Sequence, residues 1–202
     1  MNRILGLVLI LPLLLVAGCS LKRAENNAPV NSSKTKGSPD LPKVVNNDRR
    51  LVIQDAFSLE APANWLESPA LMPGISLMMV NSTETSTRPE VKRINFKSYF
   101  SVSYATLNDK TLTEYTLDLK KKLTDMVAGI SFQDLEPMVI DGREAQVFMA
   151  DLTQQGVDFK LLMFVAAGAD KDVWMISFNT LASSLSDYQT LFTSIATSFR
   201  VK

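Results

Sequence analysis

The side chains able to do chemistry in this 202-residue chain are hydroxyls, carboxylates, amines and a single thiol. Histidine is absent, which removes the usual general base near neutral pH and the commonest imidazole metal ligand. Serines are plentiful but have no imidazole to activate them, and a lysine-activated serine is not recognisable from spacing alone. Asp141 with Glu144, and Asp170 with Asp172, are close enough in sequence to work as carboxylate pairs, but Gly142 and Gly168 beside them mark these as turn and loop positions. From Leu51 onward there is no Gly-rich phosphate loop, no Ser-x-x-Lys and no set of paired Cys or His ligands. Lys+Arg and Asp+Glu both number 21, so no net field draws in a polyanion, and nucleic acid is not an expected partner. No catalytic, cofactor-binding or metal-ligating residue is expected, and the chain reads as a non-enzyme.

The thiol stands apart. Cys19 is the sole cysteine, so it has no partner for an internal bridge. Arg3 precedes the 14-residue apolar run Ile4 to Ala17, ILGLVLILPLLLVA. A membrane-crossing helix needs roughly 20 such residues, and Pro12 breaks the middle of this one, so the run fits the apolar stretch of a signal peptide. Leu15-Val16-Ala17-Gly18-Cys19 then resembles the bacterial lipobox. The resemblance implies cleavage after residue 18 and a thioether-linked diacylglycerol on Cys19. It also implies a third acyl chain on the new amino group in Gram-negative bacteria. At about 0.8 kcal/mol per buried CH2, one chain binds marginally and several together anchor stably. Ser20 stands where Asp would signal inner-membrane retention, which points to the periplasmic face of the outer membrane rather than the inner one.

Residues 19–50 begin with that cysteine and continue as a tract rich in Asn, Ser, Lys and Pro. Such a segment buries too little to offset its ordering entropy and is expected to be a disordered tether. Some thirty flexible residues span roughly 30 Å by coil scaling. Cleavage removes only Arg3 among the charged side chains, so the mature chain stays essentially neutral.

The domain is expected over residues 51–202. Leu51 to Glu67 reads as a strand with Phe57 and Leu59 on one face, closed by Pro62. Ile75 to Val80 is a short apolar run, residues 82–93 read as an exposed loop, and Phe96 to Leu107 as a strand with Phe100, Val102 and Tyr104 on one face. Thr111 and Glu114 form a capping box for a helix carrying Leu112, Tyr115, Leu119, Leu123, Met126 and Val127, stopped by Gly129. Lys120, Lys121 and Lys122 on it read as a solvated surface. Met138 to Ala150 predicts a hairpin turning at Asp141-Gly142. Phe159 to Ala166 and Val173 to Phe178 predict strands apolar on both faces, hence covered on both. Leu185, Tyr188, Leu191, Phe192, Ile195 and Phe199 predict a closing helix capped by Ser183 or Ser184. This order gives an α+β fold with a mostly antiparallel central sheet flanked by helices.

Three motifs then carry a family resemblance. Phe57-Ser-Leu-Glu-Ala-Pro-Ala-Asn-Trp65, Asp141-Gly142-Arg-Glu-Ala145 and Tyr188 to Phe199 are similar in order and spacing to those of the DcrB-like and PsbP-like group. That group includes bacterial lipoproteins and the extrinsic photosystem II subunit. The resemblance covers about Leu51 to Lys202 and implies an α/β/α sandwich. Nothing in these residues supports carrying over manganese or calcium handling from the photosystem subunit, and no cofactor is expected.

The remaining suggestive feature is apolar. Trp65, Leu71, Met72, Leu77, Met78 and Met79 gather near one end of the domain. Methionine-rich surfaces accept varied apolar partners, so Trp65, Met72, Met78 and Met79 are the candidate partner-binding residues, with core filling as the plainer role. The reading is a membrane-anchored bacterial lipoprotein acting as a non-catalytic binding or assembly module of the cell envelope. Its partners would be the bilayer, through acylated Cys19, and an envelope protein. The alternatives are a carrier of a small apolar ligand and a His-independent envelope hydrolase.

Overall fold

The computed structural model describes residues 48–69 and 74–202. Leu71 and Met72, the signal segment, Cys19 and nearly all of the expected tether lie outside the described residues. In chain order the elements are β1 (Arg49–Ile53), β2 (Phe57–Pro62), β3 (Leu66–Glu67), β4 (Ile75–Val80), α1 (Pro89–Ile94), β5 (Tyr99–Thr106), α2 (Leu112–Met126), β6 (Ser131–Ile140), β7 (Arg143–Gln154), β8 (Val157–Ala167), β9 (Asp172–Leu181), α3 (Leu185–Thr197) and β10 (Arg200–Val201). The first strand begins at Arg49, two residues inside the segment expected to be tether.

Seven strands form one sheet in the order β3-β4-β5-β9-β8-β7-β6, antiparallel at every pairing. A smaller sheet has the order β1-β2-β10. The double-sided apolar strands explain the layering. In β9, Trp174, Ile176 and Phe178 face a core built with Phe57, Leu59, Leu191, Phe192 and Ile195, from β2 and α3. Val173 and Met175 face the other way, into a core with Leu112, Leu119 and Leu123 of α2. A third cluster lies under α1, where Val91 and Phe96 meet Phe159 and Leu181. The large sheet is therefore the middle layer, with α1 and α2 on one side and α3 plus the small sheet on the other. This is the expected α+β architecture. Burying each large apolar side chain contributes about 1.5–3 kcal/mol, which is why a strand apolar on both faces requires both covers.

Two hairpin turns use left-handed backbone at both central residues. Asp141 and Gly142 have φ of 53° and 72°, and Gln155 and Gly156 have φ of 52° and 76°. The Asp-Gly turn is a familiar sequence signal; Gln-Gly is a weaker one, and the β7–β8 turn went unread in the sequence.

Several boundaries differ from the sequence expectation. Leu51 to Glu67 is not one strand but β1, β2 and the short β3, because the turn after Ile53 folds β1 back on β2. The expected loop at 82–93 contains the start of α1: Pro89 presets the first helical residue and Val91 is buried. In β5, Phe100 and Val102 are in the core, but Tyr104 is 56% exposed at the end of the ladder, its ring 5.5 Å from that of Trp174. The capping box of α2 forms as expected, while the helix ends at Met126, with Val127 rather than Gly129 at its C-terminal boundary. The strand before Asp141 extends back to Ser131. Neither Ser183 nor Ser184 caps α3 with its side chain; a single 3₁₀ turn, Ala182–Ser184, feeds straight into the helix. Lys120 also departs from a solvated role: its ammonium lies 5.0 Å from the centre of the Phe148 ring and bonds the Asp134 carboxylate.

Candidate functional site

The family motifs converge on one core. Phe57, Leu59, Trp65, Ala145, Tyr188, Phe192 and Phe199 all belong to the cluster beneath α3. Trp65 is held there because its amide donates to the Pro62 carbonyl at 3.1 Å, a tight reversal that turns the indole inward. Its ring lies 5.8 Å from Phe100, 6.3 Å from Tyr188 and 6.4 Å from Phe192. Tyr188 and Phe192 stack at 5.3 Å, and Phe192 stacks on Phe178 at 4.7 Å. Ring pairs at these separations add about 0.5–1.5 kcal/mol each beyond area burial.

The candidate partner residues must be corrected accordingly. Trp65 is 2% exposed, Met78 6% and Met79 0%. Trp65 and Met79 join the core under α3, and Met78 joins the cluster under α1, because β4 alternates its side chains between the two faces of the sheet. They present no surface to a partner in this conformation; Met72 lies outside the described residues.

A polar cluster that sequence reading missed closes over this apolar end. Ser98 donates through its amide and its hydroxyl to the Glu84 carboxylate, the hydroxyl at 3.0 Å. That hydroxyl also lies 2.8 Å from the Thr180 hydroxyl. Asn81 donates from Nδ2 to the Tyr188 hydroxyl at 2.8 Å and accepts from Thr83 at 2.9 Å. The Lys97 ammonium donates to the carbonyls of Ser82 and Glu84 at 2.7 and 2.9 Å. Burial pushes the Tyr188 phenol up to about 12, and the nearby Glu84 carboxylate acts in the same direction. Burial likewise raises the Tyr99 phenol.

What this cluster does chemically follows from its bonds. The Ser98 hydroxyl is fully buried between a carboxylate and a second hydroxyl, where a substrate has no access. Lys97 is committed to carbonyl oxygens. The arrangement pins the segment between β4 and β5 across the start of α3, and it does so with paired rather than free polar groups. No signal of spacing marks it, since Glu84 and Ser98 are 14 residues apart and Thr180 lies on another strand.

The paired carboxylates of the sequence have separate duties. Asp141 accepts from the Val201 amide at 2.9 Å and sits 3.8 Å from Arg200, which ties the β6–β7 turn to β10. Glu144 accepts from Gln146 at 2.9 Å. Asp172 accepts through its carbonyl from the Gly168 amide at 2.7 Å, and a Cβ on Gly168 would lie 2.7 Å from the Cβ of Asp172. Among the described residues no three His, Cys, Asp or Glu side chains gather as metal ligands. A cavity of about 60 Å³ at the start of α2, lined by Leu107, Tyr115 and Leu119 among others, is far below the ~300 Å³ of a small-molecule site.

On the opposite side from α2, the outer face of the small sheet carries no layer among the described residues. Alternation in β1 turns Val52 inward and Arg49, Leu51 and Ile53 outward, and Leu51 and Ile53 are 61% and 62% exposed. Ser58 and Glu60 of β2 and Arg200 of β10 share that face by register.

No protein-family model matches the chain, and no curated protein matches it in sequence. Solved structures do match in fold. The solution structure of cyanobacterial PsbP (CyanoP) from Synechocystis sp. PCC 6803 superposes with a TM-score of 0.55 at 18% identity, over 82% of this chain and 98% of that one. The crystal structure of LpqN, described as involved in cell envelope biogenesis of Mycobacterium tuberculosis, superposes with a TM-score of 0.52 at 12% identity, over 82% of this chain and 99% of that one. At such identities the likeness is one of fold: an α+β domain with a large antiparallel sheet and few helices, similar in fold to PsbP.

Proposed function

We propose that the chain is a lipid-anchored module of the bacterial cell envelope that works by binding and assembly rather than by catalysis. The lipobox-like Leu15 to Cys19, following an apolar run too short to span a bilayer, carries this reading. Two further facts support it. Among the described residues no helix is long and apolar enough to cross a membrane. The fold is shared with a protein whose description places it in envelope biogenesis. The buried hydroxyls and the amine near α3 are spent on holding a segment in place, which suits a scaffold. The DcrB-type layout of lipobox, polar tether and domain, and the periplasmic face of the outer membrane, belong to the same proposal.

The test is the intact mass of the protein taken from an envelope fraction. The expected product begins at Cys19 and carries a diacylglyceryl group with or without a third acyl chain, and a Cys19→Ser variant keeps its full-length mass. A wild-type chain of unmodified mass in the soluble fraction overturns the anchor. Turnover of envelope material by the purified protein overturns the non-catalytic part.

A further inference from the structure

We infer that residues 82–88, between β4 and α1, form a strap that opens on its own while the rest of the fold stays closed, with the Glu84 carboxylate as its latch. This device is independent of the lipid anchor.

Four observations carry the inference. First, the strap reads Ser-Thr-Glu-Thr-Ser-Thr-Arg and holds no Val, Ile, Leu, Met or aromatic residue. It lies across the start of α3 with no large apolar side chain of its own to keep it there. Second, what it closes on is polar. Ser98 is fully buried and the Tyr188 phenol, beside Glu84, nearly so. Water can take over the hydrogen bonds of both once they are uncovered, so opening exchanges bonds rather than losing them.

Third, two charged side chains do most of the fastening. The Glu84 carboxylate accepts from the Ser98 amide and hydroxyl. The Lys97 ammonium donates to the Ser82 and Glu84 carbonyls at 2.7 and 2.9 Å. The contacts with Asn64 are longer: its Nδ2 donates to the Thr83 hydroxyl, and its carbonyl accepts from the Ser82 hydroxyl, both at 3.4 Å. Hydrogen bonds to an ionised carboxylate are stronger than neutral ones, so the charge on Glu84 is the element that sets the balance between closed and open. Fourth, both ends of the strap are fixed. Before it, Asn81 donates through its amide to the Ser98 carbonyl at 2.9 Å and through Nδ2 to Tyr188 at 2.8 Å. After it, Val91 of α1 is buried in the cluster with Phe96 and Phe159. A segment held at both ends, latched in the middle and poor in apolar contacts belongs to the low-stability end of a fold.

The consequence is a second state of the chain. Both sheets and the three helices stay in place, while Ser98, the Tyr188 hydroxyl and the corner just before Trp65 meet solvent.

The test is hydrogen exchange, resolved to single amides, on the full-length chain in detergent at urea concentrations below the unfolding transition. The Ser98 amide reports the latch, since it is buried and donates to Glu84. The amides of β9 report global unfolding, since that strand is paired on both sides. Ser98 should be protected, yet exchange at least about a hundredfold faster than β9. Its rate should hardly change with urea while that of β9 climbs steeply, because the denaturant slope follows the surface exposed. Glu84→Gln should speed Ser98 exchange by about tenfold to a hundredfold and leave its urea dependence flat. Ser98 exchanging at the rate and urea slope of β9 overturns the inference, and so does a Ser98 amide with no protection at all. An unchanged Ser98 rate in Glu84→Gln overturns the latch. A Glu84→Gln chain that is unfolded by circular dichroism places Glu84 in the cooperative core and overturns the inference as well.

Discussion

At the scale of single residues, the decisive fact is that Trp65 is a packing residue. Its indole touches three other rings in a closed core. Trp65→Ala should cost about 3–5 kcal/mol of folding stability, measured by urea unfolding, since it removes a large buried ring and leaves a cavity. A near-normal midpoint would reopen the expectation that this residue serves a partner. Tyr188 and Tyr99 supply a pH signature. Both phenols titrate higher in the folded chain than the ordinary value of 10, Tyr188 at about 12. The folded state therefore holds protons that the unfolded chain releases above that value. The contribution of the two phenols should be constant up to about pH 10 and fall as pH rises from there through about 12. Tyr188→Phe should make the fall shallower, and denaturant midpoints taken across that window test it.

Elements succeed or fail by their ends. The Thr111–Glu114 box is formed in both directions, at 3.2 and 2.8 Å, and its reading from sequence held because a capping box needs only local geometry. The Asp141-Gly142 turn is local in the same way. A Cβ at Gly142 meets nothing within 4 Å, so Gly142→Ala is opposed only by the left-handed backbone, φ 72°. It should cost about 1 kcal/mol, seen as a lower midpoint with an unchanged denaturant slope. A much larger loss would mean that the substitution shifts the β6–β7 register. The boundaries that sequence misplaced, at α1 and at the start of α3, are set by packing. The former is a six-residue helix whose apolar residues reach the sheet, and the latter grows from a 3₁₀ turn with no side-chain cap.

At the scale of the whole molecule, two large cores share one sheet. β8 and β9 contribute side chains to both, so neither core can open without exposing strands that the other needs. Trp65 and Trp174 both lie on the α3 side, while far-ultraviolet circular dichroism reports on all elements. The two signals should lose structure at the same urea concentration, as one cooperative unit. Separated transitions would show the α2 layer detaching on its own. The limits of sequence reading follow the same geometry. Residues by themselves determined the α+β class, the capped helix, the Asp-Gly hairpin and the double-sided strands, because periodicity and caps are properties of neighbours along the chain. Tertiary structure alone decided that Trp65, Met78 and Met79 are core, since alternation in β4 names two faces without saying what covers each. It alone joined Glu84, Ser98, Thr180, Asn81 and Tyr188 across as many as 107 residues of separation, a closeness that no spacing encodes. And only the packed layers set Leu51 and Ile53 outward on the first strand, because exposure belongs to the surface left over once the other faces have found their cover.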